Sequence, residues 1–233
     1  MINEKAEVLN NGYVRLVDVM GSDLNVVNAA RVSYDKEASE LTDKDIGLLK
    51  FLAREGHTSP FRHAFATFEV YAPLIVARQW WKYIAGSDHA MDSWNESSRR
   101  YITEEPTFYV PKENEWRSKP ANSKQGSGSN IENAIGVTLT EGLLEHIESS
   151  ERLYNDAMEI GVAPEQARLF LPAYSMNARW RWSASLQSIT HFLNQRLEHD
   201  SQYEIQQFAK AVLELIRPYF EHSIDNLVKT EEY

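Results

Sequence analysis

The chain contains no cysteine among its 233 residues. Disulfides, thiolate metal sites and thiol nucleophiles are excluded together. Long apolar runs are absent too: nothing approaches the roughly 20 residues needed to span a bilayer, and Met1-Ile2-Asn3-Glu4-Lys5 lacks a basic-then-apolar leader pattern. Cations are in deficit, with 24 Lys and Arg against 34 Asp and Glu and a net charge of −10. That balance argues against a general nucleic-acid binder, whose affinity comes from a broad basic surface on phosphates. Any anion site must be local. No Gly/Ser/Pro linker divides the chain into halves, so one domain over residues 1–233 is expected, in the cytoplasm and with neither nucleic acid nor membrane as partner.

Gly12 to Met20 is rich in strand formers and reads as an opening strand, and Asn25 to Ser33 as a short helix. Thr42 followed by Asp45 has the spacing of a capping box, Ile46, Leu49 and Ala53 make an apolar stripe, and Gly56 can end that helix. His57 to His63 is a polar loop. Ala64 to Ala72 reads as a second strand, with Pro73 opening a helix from Leu74 to Ala85. Gly86 to Ser93 reads as an exposed loop, Arg100 to Val110 as a strand pair or extended arm, and the segment at about 117–133 as a mobile insertion. The C-terminal half reads as helical: Thr140 to Ile160, Pro164 to Pro172, Ser183 to Leu197 and Asp200 to His222. The last carries an apolar stripe of Tyr203, Ile205, Phe208, Val212, Leu215 and Ile216. The expected class is α+β, an antiparallel or mixed sheet from the N-terminal half packed with a mainly helical C-terminal half.

The stretch from Arg78 to Tyr101 concentrates aromatic and cationic side chains in an otherwise acidic chain, a mixture suited to an anion and a flat ring. Arg99-Arg100 beside Ser97-Ser98 offers the forked donors that phosphates accept, and equally has the makeup of an exposed basic turn. Trp80, Trp81, Tyr83 and Trp94 suit stacking on a planar ring, or core and interface packing. Glu165 and Arg168 are three apart and placed to pair on a surface. Gln187 and His191 share a helix face that is either a ligand side or a solvent side. His57 and His63 match no compact metal spacing, so no metal is expected.

In order along the chain, the blocks Ala30-Arg31-Val32-Ser33-Tyr34, His57-Thr58-Ser59-Pro60-Phe61-Arg62-His63, Arg78-Gln79-Trp80, Asn95-Glu96-Ser97-Ser98-Arg99-Arg100-Tyr101, Glu165-Gln166-Ala167-Arg168, and His191 to Arg196 continuing to Gln202-Tyr203-Glu204-Ile205 resemble the flavin-dependent thymidylate synthases. The resemblance implies transfer of a one-carbon unit from methylenetetrahydrofolate to C5 of dUMP, with FAD reduced by NADPH as hydride carrier, in a homotetramer whose sites are shared between subunits. The missing cysteine fits independently, because the other route to thymidylate uses a cysteine thiolate. By the same resemblance Arg196 is the catalytic residue, a fixed guanidinium at the uracil edge. Gln79, Lys82, Glu96, Ser97, Ser98, Arg99, Arg100 and Arg168 join it on dUMP. Ser33, Ser59, Lys82, Tyr83, Ile84, Glu96, Glu165, Ser185, Gln187 and His191 fall on FAD positions.

Two departures bear on the flavin. Lys82-Tyr83-Ile84 stands where the family usually has Arg-His-Arg, and Gln187 where many members have an arginine. Residues 87–94 form an insertion in which Ser87 and His89 are candidate replacements. A second reading follows, a non-catalytic nucleotide-binding relative that has lost tight FAD binding. A metal-dependent nucleotide hydrolase would require a carboxylate cluster that is not found.

Overall fold

In the computed structural model, residues 2–85, 92–98, 105–121 and 126–229 are described. One antiparallel sheet of five strands, in the order β1-β2-β3-β5-β4, is built from β1 Lys5–Val8, β2 Gly12–Met20, β3 Phe65–Pro73, β4 Ser93–Glu96 and β5 Asn177–Ser185. The helices are α1 Asp23–Arg31, α2 Asp43–Arg54, α3 Leu74–Ala85, α4 Asn133–Glu159, α5 Pro164–Ala167, α6 Leu186–Arg196, α7 Tyr203–Ile216 and α8 Glu221–Leu227. This is an α+β architecture with a wholly antiparallel sheet. No described helix is long and apolar enough to cross a membrane.

Several local expectations hold because short-range chemistry decides them. Thr42 and Asp45 form the capping box of α2, with the Thr42 backbone N–H donating to the Asp45 carboxylate at 2.9 Å. Gly56 follows the helix with φ of 68°, the left-handed conformation that favours glycine. α3 begins directly after Pro73.

The largest correction concerns the C-terminal half, which contributes β5 between β3 and β4. Ser183 lies in this strand and not at a helix start. Along β5, Trp180, Trp182 and Ala184 are buried while Arg179 and Arg181 are exposed, a period-2 pattern. The four-residue edge strand β4 and β1 were also missed, each too short to show a period. Of the expected arm from Arg100 to Val110, residues 105–110 form no regular strand. They make a single bridge, Phe108 to Met176, with Tyr109 donating its N–H to the Ser175 carbonyl at 2.8 Å. Pro106 and Pro111 have no N–H to continue a ladder. The loop from His57 contains a 3-10 turn, Ser59–His63. The helix expected to His222 is broken at Pro218 into α7, a 3-10 turn and α8. Tyr203 is 38% exposed and leaves the buried stripe, its ring 4.5 Å beneath the Arg117 guanidinium. Most of Gly86 to Ser93, and Arg99 to Tyr101, lie outside the described residues.

The core lies between one sheet face and α3, α6 and α7. Trp80 is at its centre, fully buried, with ring centroids 4.4 Å from Phe192 on α6 and 5.5 and 5.3 Å from Trp180 and Trp182 on β5. Its neighbour Trp81 is 40% exposed and, among the described aromatic rings, meets Trp94, edge-on at 5.4 Å. The aromatic run therefore divides, one indole serving the core and the next the surface. Trp80→Ala should lower stability by about 3–5 kcal/mol and Trp81→Ala by about 1 kcal/mol, measured by urea denaturation. Equal losses would contradict this division.

Candidate functional site

Helix α3 borders open space on two sides because successive residues rotate by about 100°. Leu74, Ala77, Arg78 and Trp81 border a cleft with Trp94 and Glu96. Beside it, a cavity of about 450 Å³ is lined by Glu96, Ser97, Ser98, Arg168 and Leu169. On the other side, Gln79, Lys82 and Tyr83 line a polar cavity of about 660 Å³ with Gln195, Arg196 and Gln202. Arg78 and Lys82, four apart on α3, thus open onto different spaces. The candidate substrate residues fall into two groups that do not share a cavity within one chain. Arg99 and Arg100 lie outside the described residues.

In the larger cavity Arg196 is half-buried. Its guanidinium stands 4.8 Å over the Tyr83 ring, and its Nε–H is buried without an acceptor among the described residues. Burial pushes the Tyr83 phenol above its ordinary pKa, partly opposed by the Arg196 charge.

Of the flavin candidates, Lys82 and Tyr83 line this cavity, and Glu96 lines the smaller one. His191 is exposed on α6 with its ring 5.6 Å from Tyr83, and Ser59 lies on the 3-10 turn that packs against α6. Ser185 is buried, and its hydroxyl caps α6 by accepting the Ser188 N–H at 3.2 Å. Ile84 packs against the core, and Lys82 is exposed. Gln187 accepts the Nε–H of Arg62 at 2.6 Å, so a guanidinium reaches this position from the Ser59–His63 turn. Arg62 belongs to the His57–His63 block, in which its partner, 125 positions away, leaves no local signal.

Elsewhere, Ser33 is exposed on a 3-10 turn after α1, and Glu165 is exposed on α5; neither lines the larger cavity. Arg168 donates to the Glu165 backbone carbonyl at 3.3 Å rather than to its carboxylate. Ser97 extends the β4–β5 pairing, its N–H reaching the Arg179 carbonyl at 2.8 Å. Behind Gln79, hydrogen bonds run to Gln202 and on to Glu204, which pairs with Arg117. Arg117 belongs to the segment read as a mobile insertion, for which no site residue was expected.

Asp92 lies immediately before β4, in the insertion. Its carboxylate faces the Ser188 hydroxyl, the Trp182 indole and the Ser185 backbone at the start of α6. Both oxygens are buried, and no bond of standard geometry closes to a described residue. Burial pushes its pKa up to about 6.

A family profile described as thymidylate synthase complementing protein matches residues 15–220. The flavin-dependent thymidylate synthase of Thermotoga neapolitana is 37% identical over 213 residues, 91% of this chain and 89% of that protein. That of Thermosipho africanus is 36% identical over 211 residues, 91% of this chain and 88% of that protein. Among solved structures, the UMP/dUMP methylase PolB from Streptomyces cacaoi bound with 5-Br dUMP superposes with a TM-score of 0.80 at 28% identity, covering 95% of this chain and 96% of that one.

Asp92 makes stability depend on pH. An unfolded aspartate titrates near 3.9, so between there and about pH 6 the folded chain binds the extra proton. The stability this contributes is full below about pH 4 and is lost as pH rises through about 6. Asp92→Asn should therefore stabilise the protein at pH 7.5 by about 1 kcal/mol, allowing for solvent screening. The gain should vanish by pH 4 in urea titrations at the two pH values, and a gain independent of pH would contradict the assignment.

Proposed function

The chain belongs to the thymidylate synthase complementing protein family, the flavin-dependent thymidylate synthases, and from that premise we propose that it methylates dUMP to dTMP with methylenetetrahydrofolate as one-carbon donor and FAD reduced by NADPH. The observation that carries this reading is Arg196, whose side chain lines a polar cavity with Gln79 and Lys82 and whose Nε–H is buried with no partner among the described residues. A guanidinium held at the uracil edge stabilises the negative charge that develops when C5 acts as nucleophile. With no cysteine in the chain, activation by a thiolate at C6 is unavailable.

The donor set on α3, α6 and the Ser59–His63 turn suits FAD: Lys82 and Arg62 are cations for phosphate oxygens, His191 is an exposed polar group beside Tyr83, and Ser59 is an exposed hydroxyl on the turn. When bound, FAD supplies the hydride. The residues of this chain bind, orient and neutralise. Arg62 bonded to Gln187 places a guanidinium where the substitution at 187 had removed one, which disfavours a non-catalytic relative.

The second group, Glu96, Ser97, Ser98 and Arg168, would act on dUMP together with Arg99 and Arg100 in a neighbouring subunit. The separation of the two groups by α3 supports a site shared within a homotetramer. So does the apolar surface left on α4, where Ile135 is 52%, Leu139 41% and Leu153 49% exposed.

The purified protein should take up FAD with a shifted visible absorbance, and release tritium from C5-labelled dUMP when given methylenetetrahydrofolate and NADPH. Arg196→Ala should lower kcat/KM by about 10²–10³-fold while the assembly persists in analytical ultracentrifugation. Absence of both FAD uptake and tritium release would overturn the reading. If the sites are shared, co-assembled Arg196→Ala and Arg168→Ala chains should regain activity that neither variant has alone. No recovery would place all the ligands within one chain.

A further inference from the structure

Gln79 has a carboxamide whose nitrogen and oxygen ends have nearly the same shape, so packing alone cannot choose which end faces the cavity. Charge can. Glu204, in the first turn of α7, is 5% exposed and gathers donors: the Arg117 guanidinium, the Tyr109 hydroxyl at 3.3 Å and the Gln202 Nε2 amide at 2.7 Å. Burial and the Glu204 charge push the Tyr109 phenol well above its ordinary range, so it remains a donor. A carboxylate paired with a guanidinium only accepts.

We propose that Glu204 sets the polarity of an amide chain through Gln202 to Gln79, so that Gln79 presents its carbonyl oxygen to the ligand and selects a hydrogen-bond donor there. This rests on reading the 660 Å³ cavity as the dUMP site. Because Gln202 turns its amide nitrogen to Glu204, its carbonyl turns the other way and accepts from Gln79 Nε2. Each carboxamide has one donor end and one acceptor end, so the Gln79 oxygen is what remains. No described residue donates to it. It welcomes a ring N–H or a ribose hydroxyl and repels a phosphate oxygen, leaving anions to the cationic side chains.

Arg117 completes the device from outside the family-like blocks. Its Nε–H donates to Ser127 Oγ at 2.9 Å and its NH1 to the Glu115 carbonyl at 3.1 Å, and the backbone beside it bridges to Asn130. Glu115, Ser127 and Asn130 thereby hold the cation that balances Glu204. Gln202 and Glu204 are positioning residues that act through Gln79.

Calorimetry on the FAD-loaded full chain tests this with dUMP and two donor-blocked analogues, N3-methyl-dUMP and the 3′-deoxy nucleotide. The wild type should bind at least one analogue about ten-fold more weakly than dUMP, the loss of one hydrogen bond to a polar partner. In Gln202→Met and Glu204→Gln that penalty should shrink about five-fold, because either polarity of Gln79 becomes open. Glu204→Asp, still only an acceptor, should retain it. Loss of packing alone would weaken all three ligands equally. If Glu204→Gln fails to fold beside Arg117, the half-buried Gln202→Met carries the test. Unchanged discrimination in Gln202→Met, or a wild type that binds both analogues like dUMP, overturns the polarity alone. A wild type that loads FAD but does not bind dUMP overturns the site reading as well.

Discussion

The placement of the site depends on one buried contact, the stacking of Trp80 on Phe192. Trp80 belongs to α3 and Phe192 to α6, and the pair rests on the indoles of Trp180 and Trp182 from β5. Rings of this size bury large apolar areas and tolerate few alternative arrangements. Once the two helices lock here, Gln79 next to Trp80 and Arg196 one turn beyond Phe192 must face the same space. The polar cavity is a geometric consequence of the apolar core behind it.

Helix α3 also explains why the candidate substrate residues separate. One flank carries Gln79, Lys82 and Tyr83, and the other carries Arg78 and Trp81 toward β4, Ser97 and Ser98. The proposed sharing of a site between copies answers this separation, and the exposed leucine and isoleucine side chains of α4 offer apolar surface for such an assembly.

Charge is handled locally in a protein whose net charge is −10. Lys82 on α3 and Arg196 on α6 line the cavity beside Glu198 and Asp200, and two carboxylates buried elsewhere are met by donors. Glu204 has a guanidinium, a phenol and an amide. Asp23 shows the same rule far from the site. Buried on α1, it accepts the backbone N–H groups of His222 and Ser223 at 2.8 and 3.1 Å, capping α8. Asp92 lacks such bonds, and its raised pKa follows.

What the sequence determined by itself was chemistry type and local form. The absence of thiols, the Thr42–Asp45 cap, the Gly56 stop, the strand from Gly12 and the ordered motif blocks all depend on residue identity over short spans. The β5 strand was also legible in its Trp180-Arg181-Trp182 alternation, but the helical patterns around it hid that signal. Only the tertiary structure decided that Gln79 meets Gln202, that Arg62 supplies a cation to Gln187, that Arg117 balances Glu204 and that Ser98 and Arg196 stand apart. Those meetings join residues as much as 125 positions apart. They are set by how α3, α6 and α7 pack about Trp80 and the sheet, which no local period encodes.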